Sequence, residues 1–151
     1  MRNNISFETG LKYFTINGDP DRKIYFDPTD IGLIDRLDAA AKEIKERAES
    51  LENAQDPIAA IRELDTFARE KVDAAFPLPV CETVFGNAYC VSVTPSGALQ
   101  IESFLNSTAK VIRRELDGAS AAAKKRQGKY LDKYQNRQNH QQNRKRSGKR
   151  K

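Results

Sequence analysis

Two cysteines and one histidine are the side chains best able to act as nucleophiles or soft metal ligands: Cys81, Cys90 and His140. Cys81 and Cys90 are nine positions apart, and His140 lies in an Asn/Gln-rich stretch with no Cys or second His at metal-ligand spacing. A Cys-His or Ser-His pair would therefore need the C-terminal end to fold back over the body. The carboxylates are spread as i,i+4 partners of Lys and Arg instead of gathering around an apolar pocket. The glycines of Asn17-Gly18-Asp19 and Phe85-Gly86-Asn87 mark single turns and do not form a phosphate cradle. No enzymatic activity, metal or other cofactor is expected. The two cysteines read as small buried apolar groups in a reduced protein.

The remaining chemistry is charge. From Lys124 onward there are 12 Lys/Arg against one acid, Asp132, a net +11. Residues 1–123 hold 14 Lys/Arg and 20 Asp/Glu, a net −6, so the overall +5 hides an acidic body and a basic tail. The tail would attract a nucleic-acid backbone, and equally an acidic protein surface. Tyr130 and Tyr134 are four apart and would share one helix face, suited to protein docking or to base stacking. Arg144, Lys145 and Arg146 open the last basic cluster. The body carries no zinc-finger spacing, RNP-type sheet or basic recognition helix.

The elements that would position these groups are legible in part. Residues 5–26 read as a β-hairpin, with aromatic and β-branched runs on either side of a turn at residues 17–21. Residues 28–53 read as a helix capped by Asp27, with Pro28 in its first turn. Its apolar positions, Ile34, Leu37, Ala41, Ile44, Ala48 and Leu51, follow the 3-4 alternation of a helix that packs on another helix. Asp56-Pro57 opens a second helix of about 20 residues with Ile58, Ile61, Leu64, Phe67, Ala68, Val72 and Ala75 on one face. Pro77 and Pro79 end it. VCETVFG suggests a short helix or turn and AYCVSV a short strand. A third long helix is expected from Thr94-Pro95-Ser96, presenting Leu99, Phe104, Leu105, Thr108, Val111, Ile112 and Leu116, and continuing past Gly118 where the Ala-rich run favours it. Beyond Gln135 no apolar residue remains, as in a disordered tail. The fold class expected is mainly α, a domain of about three helices over residues 1–123 with an N-terminal hairpin, followed by a basic tail at 124–151. No run of 18 apolar residues occurs and the N-terminus lacks a signal-peptide core, so the expected compartment is the cytoplasm.

Three stretches carry a family resemblance, in this order: KYFTINGDPDRKIYFDPTD with the helix IGLIDRLDAAAKEIKERAES, then FAREKVDAAFPLPVCETVFGNAYCVSV, then KYLDKYQNR running into the basic end. Together they resemble the tail assembly chaperones of long-tailed bacteriophages of Gram-positive bacteria. The resemblance implies a host-cytoplasmic protein that binds the long helical tape measure protein and keeps it soluble while the tail tube polymerises. It implies absence from the mature virion, and in many such proteins a frameshift-extended form that contacts tail tube subunits. Under that reading the partner-binding residues are the helical stripe Ile34, Leu37, Ile44 and Leu51, the pair Tyr130 and Tyr134, and the cluster Arg144, Lys145 and Arg146. Self-association would follow from acidic body meeting basic tail. The competing expectations are a nucleic-acid-binding protein that uses the tail and a minor structural virion protein such as a connector component.

Overall fold

The computed structural model describes residues 3–122 and residue 125. The chain divides into two units, Met1–Arg113 and Arg114–Lys151, and the packing described below belongs to the first. It is mainly α: strands β1 (Lys12–Ile16) and β2 (Asp19–Phe26) precede helices α1 (Ile31–Ser50), α2 (Pro57–Ala75) and α3 (Cys81–Phe85). A fourth helix, α4, covers residues 100–122.

The hairpin closes more tightly than the sequence suggests. Asn17 and Gly18 both have positive φ, 51° and 75°, the requirement of a two-residue turn matched to the strand twist. Pairing then slips: Ile16 faces Asp19, but Thr15 faces Lys23. Pro20, Asp21 and Arg22 therefore bulge from β2, where a proline without an N–H costs no ladder bond. The bulge turns Arg22 toward α3.

Helix α1 starts three residues later than expected. Asp27 does not cap it. Its Oδ1 accepts instead from the Thr29 N–H (2.9 Å) and the Thr29 hydroxyl (2.6 Å), while Pro28 is fully buried. The cap is Asp30, whose Oδ1 accepts from Gly32 N–H at 2.9 Å. The buried stripe is Leu33, Leu37, Ala40 and Ile44. Ile34, Ala48 and Leu51 are half-buried and Ala41 is exposed, so the packed face is rotated from the one inferred. Of the stripe read as partner-binding, Leu37 and Ile44 are buried within the chain, and α1 packs much of this face against its antiparallel neighbour α2.

Helix α2 begins as read from the sequence, with Asp56 as cap and Pro57 in the first turn. Ala68 and Val72 are completely buried, but Ile58 and Ile61 at its start are exposed. AYCVSV does not become a strand; only Val93 bridges Leu99, around a turn in which Gly97 N–H donates to Thr94 O. That turn takes the residues expected to start the next helix, so α4 begins at residue 100. Its first N–H groups are met by the preceding loop: Gln100 donates to Ser92 O and Ile101 to Cys90 O, each at 2.8 Å. Helical structure continues past Gly118, as the Ala-rich run favours.

A row of phenylalanines ties these elements together. Phe14 stacks on Phe26 with centroids 4.4 Å apart, and Phe26 meets Phe76 edge-on at 5.5 Å. Phe76 lies 6.1 Å from Phe104, which meets Phe85 edge-on at 5.8 Å. The row joins both strands, the end of α2, α4 and α3. Phe76 sits at its centre, so Phe76→Ala should cost about 3–5 kcal/mol of folding free energy, read as a lowered urea midpoint with unchanged helical signal at zero denaturant.

Candidate partner-binding groove

Three polar residues on one face of α2 organise the region that could bind a partner. Asp65, Arg69 and Asp73 are four residues apart, so they align along the helix. Each grips the backbone of the segment that follows. Asp73 Oδ1 accepts from Val80 N–H (2.8 Å) and Cys81 N–H (2.9 Å), supplying the cap that Val80 cannot provide to α3. Arg69 donates to Gly86 O and Ala88 O and pairs with Asp65 at 3.2 Å. Asp65 is buried and accepts from Cys90 N–H at 2.7 Å. The buried bond from Cys90 N–H to the Asp65 carboxylate contributes on the order of 1.5–3 kcal/mol, and the more exposed bonds of Arg69 contribute less.

Two more arginines close helix ends. Arg22 donates to Thr83 O (2.9 Å) and Val84 O in the last turn of α3, pinning the β-bulge there. Arg36 donates to Ala75 O (2.8 Å) at the end of α2 while pairing with Asp30 at 3.1 Å. Both place a cation where unpaired helix carbonyls gather.

The cysteines are free and buried within this framework. Cys81 Sγ lies 3.7 Å from Arg69 O, and Cys90 Sγ lies 3.8 Å from Asp65 O, carbonyls one turn apart on α2. Burial first, and the Asp65 carboxylate second, push the Cys90 thiol up from 9.0 to about 12. Burial and Asp73 push Cys81 up as well. Both thiols are therefore held protonated and poorly nucleophilic.

With α3 fixed, a groove of about 530 Å³ opens between the hairpin, α3 and α4. Phe14, Ile16, Ile24, Phe26, Phe104 and Val111 give it apolar surface, with Val84 and Phe85 from α3. Ser103, Ser107, Gln100 and Thr94 supply polar groups. Among the described residues Arg22 is the only ionisable one lining it, and its guanidinium is engaged with α3 carbonyls. Such a slot suits apolar side chains of an amphipathic segment, with hydroxyls and an amide able to bond to its backbone. A second depression, of about 420 Å³, lies beside Phe67. It is strongly charged: Arg47 stands 4.6 Å over the Phe67 ring and pairs with Glu63 at 3.2 Å.

Of the partner-binding residues singled out from sequence, the described ones, Ile34, Leu37, Ile44 and Leu51, do not line the groove. Leu37 and Ile44 are core, and Ile34 and Leu51 are half-buried on α1. Tyr130, Tyr134, His140, Arg144, Lys145 and Arg146 lie outside the described residues. Among the described residues no helix is long and apolar enough to cross a membrane, and no group of three or more His, Cys, Asp or Glu could hold a metal ion. Comparison with protein-family models, curated proteins and solved structures finds no match to this chain.

The thiols report on the framework in two ways. A raised folded-state thiol pKa stabilises the fold fully below the unfolded value of 9.0, and the gain is lost as pH rises from about 9 toward about 12. Unfolding free energy measured at about pH 8 and about pH 10.5 should fall less steeply for Cys90→Ala than for the unaltered protein. Removing the α3 cap with Asp73→Ala should speed labelling of Cys81 by a thiol reagent more than that of Cys90, in a peptide-resolved measurement.

Proposed function

We propose that the protein is a tail assembly chaperone of a long-tailed bacteriophage, acting in the host cytoplasm. It binds helical segments of the tape measure protein, keeps them soluble while the tail tube forms, and leaves before the virion is complete. One observation supports this reading: two of the stretches that resemble such chaperones supply the hairpin and α3 walls of the groove, while α4, outside those stretches, supplies the third wall. Residues 12–30 supply the hairpin wall and Arg22. Residues 67–93 supply Arg69, Asp73 and the α3 wall. The third stretch lies outside the described residues.

The groove suits a long helical client for physical reasons. It has little charge to offer, so it does not select by charge pattern. It takes apolar side chains that recur at i, i+3 and i+4 along any amphipathic helix. Weak contacts repeated along an extended client gain strength from multivalency without a tight single site. The stripe of α1 is not needed for this role, since the groove provides the apolar surface instead.

Filling the groove tests the proposal. Ser107 is exposed on α4, so Ser107→Arg should place a charge in the slot and leave the core intact. Co-expressed with a tape measure protein of the same genome, the unaltered protein should keep the client in the soluble fraction and co-purify with it. Ser107→Arg should send most of the client to the pellet. An insoluble client with the unaltered protein, or full solubility with Ser107→Arg, would defeat this assignment.

A further inference from the structure

We propose that residues 5–16 of two copies pair as antiparallel strands, joining the hairpins into one four-stranded sheet across a two-fold axis. The motive is a pattern without a partner. Ile5, Phe7, Leu11 and Tyr13 occupy alternate positions, the signature of a strand with one apolar face. Residues 4–11 nevertheless form no strand, and these four side chains are 84%, 77%, 54% and 58% exposed. The arm is anchored at its base, because a side chain at Gly10 would come within 2.4 Å of Asp27 Oδ1, beside the end of the β1–β2 ladder. Strand β1 hydrogen-bonds β2 along one edge; its other edge pairs with no strand among the described residues. A pattern of this kind ending in an open edge is a template for strand addition.

The register identifies the occupant as a second copy. A two-fold axis through Gly10 pairs each residue i with residue 20 − i of the other copy. Glu8 then lies opposite Lys12, twice per dimer. In the same register Phe7 lies opposite Tyr13. Tyr13 already packs edge-on against Tyr25 at 6.3 Å, so a row Tyr25, Tyr13, Phe7 would cross the junction on each side. Other registers that keep the apolar positions on one face lose the charge match. One step either way sets Glu8 against Gly10 or Phe14; a further step sets Glu8 on Glu8 or Lys12 on Lys12. Lys12 also has an interaction within its own chain; the pairing asks only that its ammonium face Glu8. The contact is isologous, so it closes at two copies.

Sedimentation velocity over about 1–100 µM, a range that spans ordinary dimer affinities, tests the inference on the full chain. The unaltered protein should reach twice the 17.0 kDa chain mass. Glu8→Lys should raise the dissociation constant at least about tenfold by opposing like charges at both sites, and the double exchange E8K/K12E should restore it. Both positions are exposed, so circular dichroism should be unchanged. Under oxidised glutathione, a mixture of Glu8→Cys and Lys12→Cys chains should form disulfide-linked dimers that neither variant forms alone. A monomer throughout the range, an E8K chain that dimerises like the unaltered one, or cross-linking of Glu8→Cys with itself as efficiently as with Lys12→Cys would each overturn the pairing. None of these results bears on the groove, so this inference and the chaperone reading fail separately.

Discussion

The arrangement of the first unit depends on one face of α2 holding the segment that follows it. Residues 76–92 include two prolines and one short helix, and alone would have many loose backbone groups. Asp65, Arg69 and Asp73 meet those groups from a rigid rail with a 1.5 Å rise per residue. The segment is thereby laid along α2. Cys90 becomes a node: its N–H goes to Asp65 and its carbonyl receives Ile101 N–H, so α2 fixes where α4 begins. Arg22 extends the same logic to the hairpin. A hairpin with two strands is marginal by itself, but here its bulge is bonded to α3, and α3 to α2.

The groove is a consequence of that bonding. Phenylalanines join the hairpin, α2, α3 and α4, yet the polar attachments hold α3 where a gap persists beside the row. Apolar side chains at such a gap would collapse inward if the backbone could follow them, since interiors tend to native packing density. Backbone carbonyls bound to Arg22 and Arg69 resist that movement. Cation and carboxylate thus keep open a space that is itself almost uncharged.

Much of the architecture is legible in the residues, and the site is not, for a physical reason. Asn17-Gly18 announces the turn because few other pairs accept two positive φ values. Asp56-Pro57 announces α2 because cap and first-turn proline act locally. The groove draws on the hairpin, α3 and α4, which are separate in sequence, and no local pattern encodes their meeting. The rail on α2 is hidden by resemblance to something ordinary: Asp65, Arg69 and Asp73 at i,i+4 spacing look like a solvated charged face. One signal could have separated them. Val72 and Ala68 between them are fully buried, so the polar face and the apolar face of α2 are adjacent, and both point toward the chain. Leu33 was missed on α1 because Ile34 suits a heptad equally well, and only the neighbouring packing decides between them.

Period two along the hairpin separates its two surfaces. Phe14, Ile16, Ile24 and Phe26 point to the core and the groove, while Tyr13 and Tyr25 point outward and lead into the arm. A ligand in the groove would meet Phe14, Ile16, Ile24 and Phe26, while a second copy would add along the outer edge of β1, with Phe7 and Tyr13 on the outward face and the Glu8–Lys12 pair on the other. Joining two copies through the arms would set the two grooves at a separation fixed by a continuous sheet and not by a flexible linker. For a client with many similar segments, two rigidly spaced weak sites raise the effective concentration of the second once the first is filled. Strand order in the dimer, β2–β1 to β1–β2, would also remove the open edge of β1, leaving β2 outermost, where α3 and the Arg22 bulge already guard it.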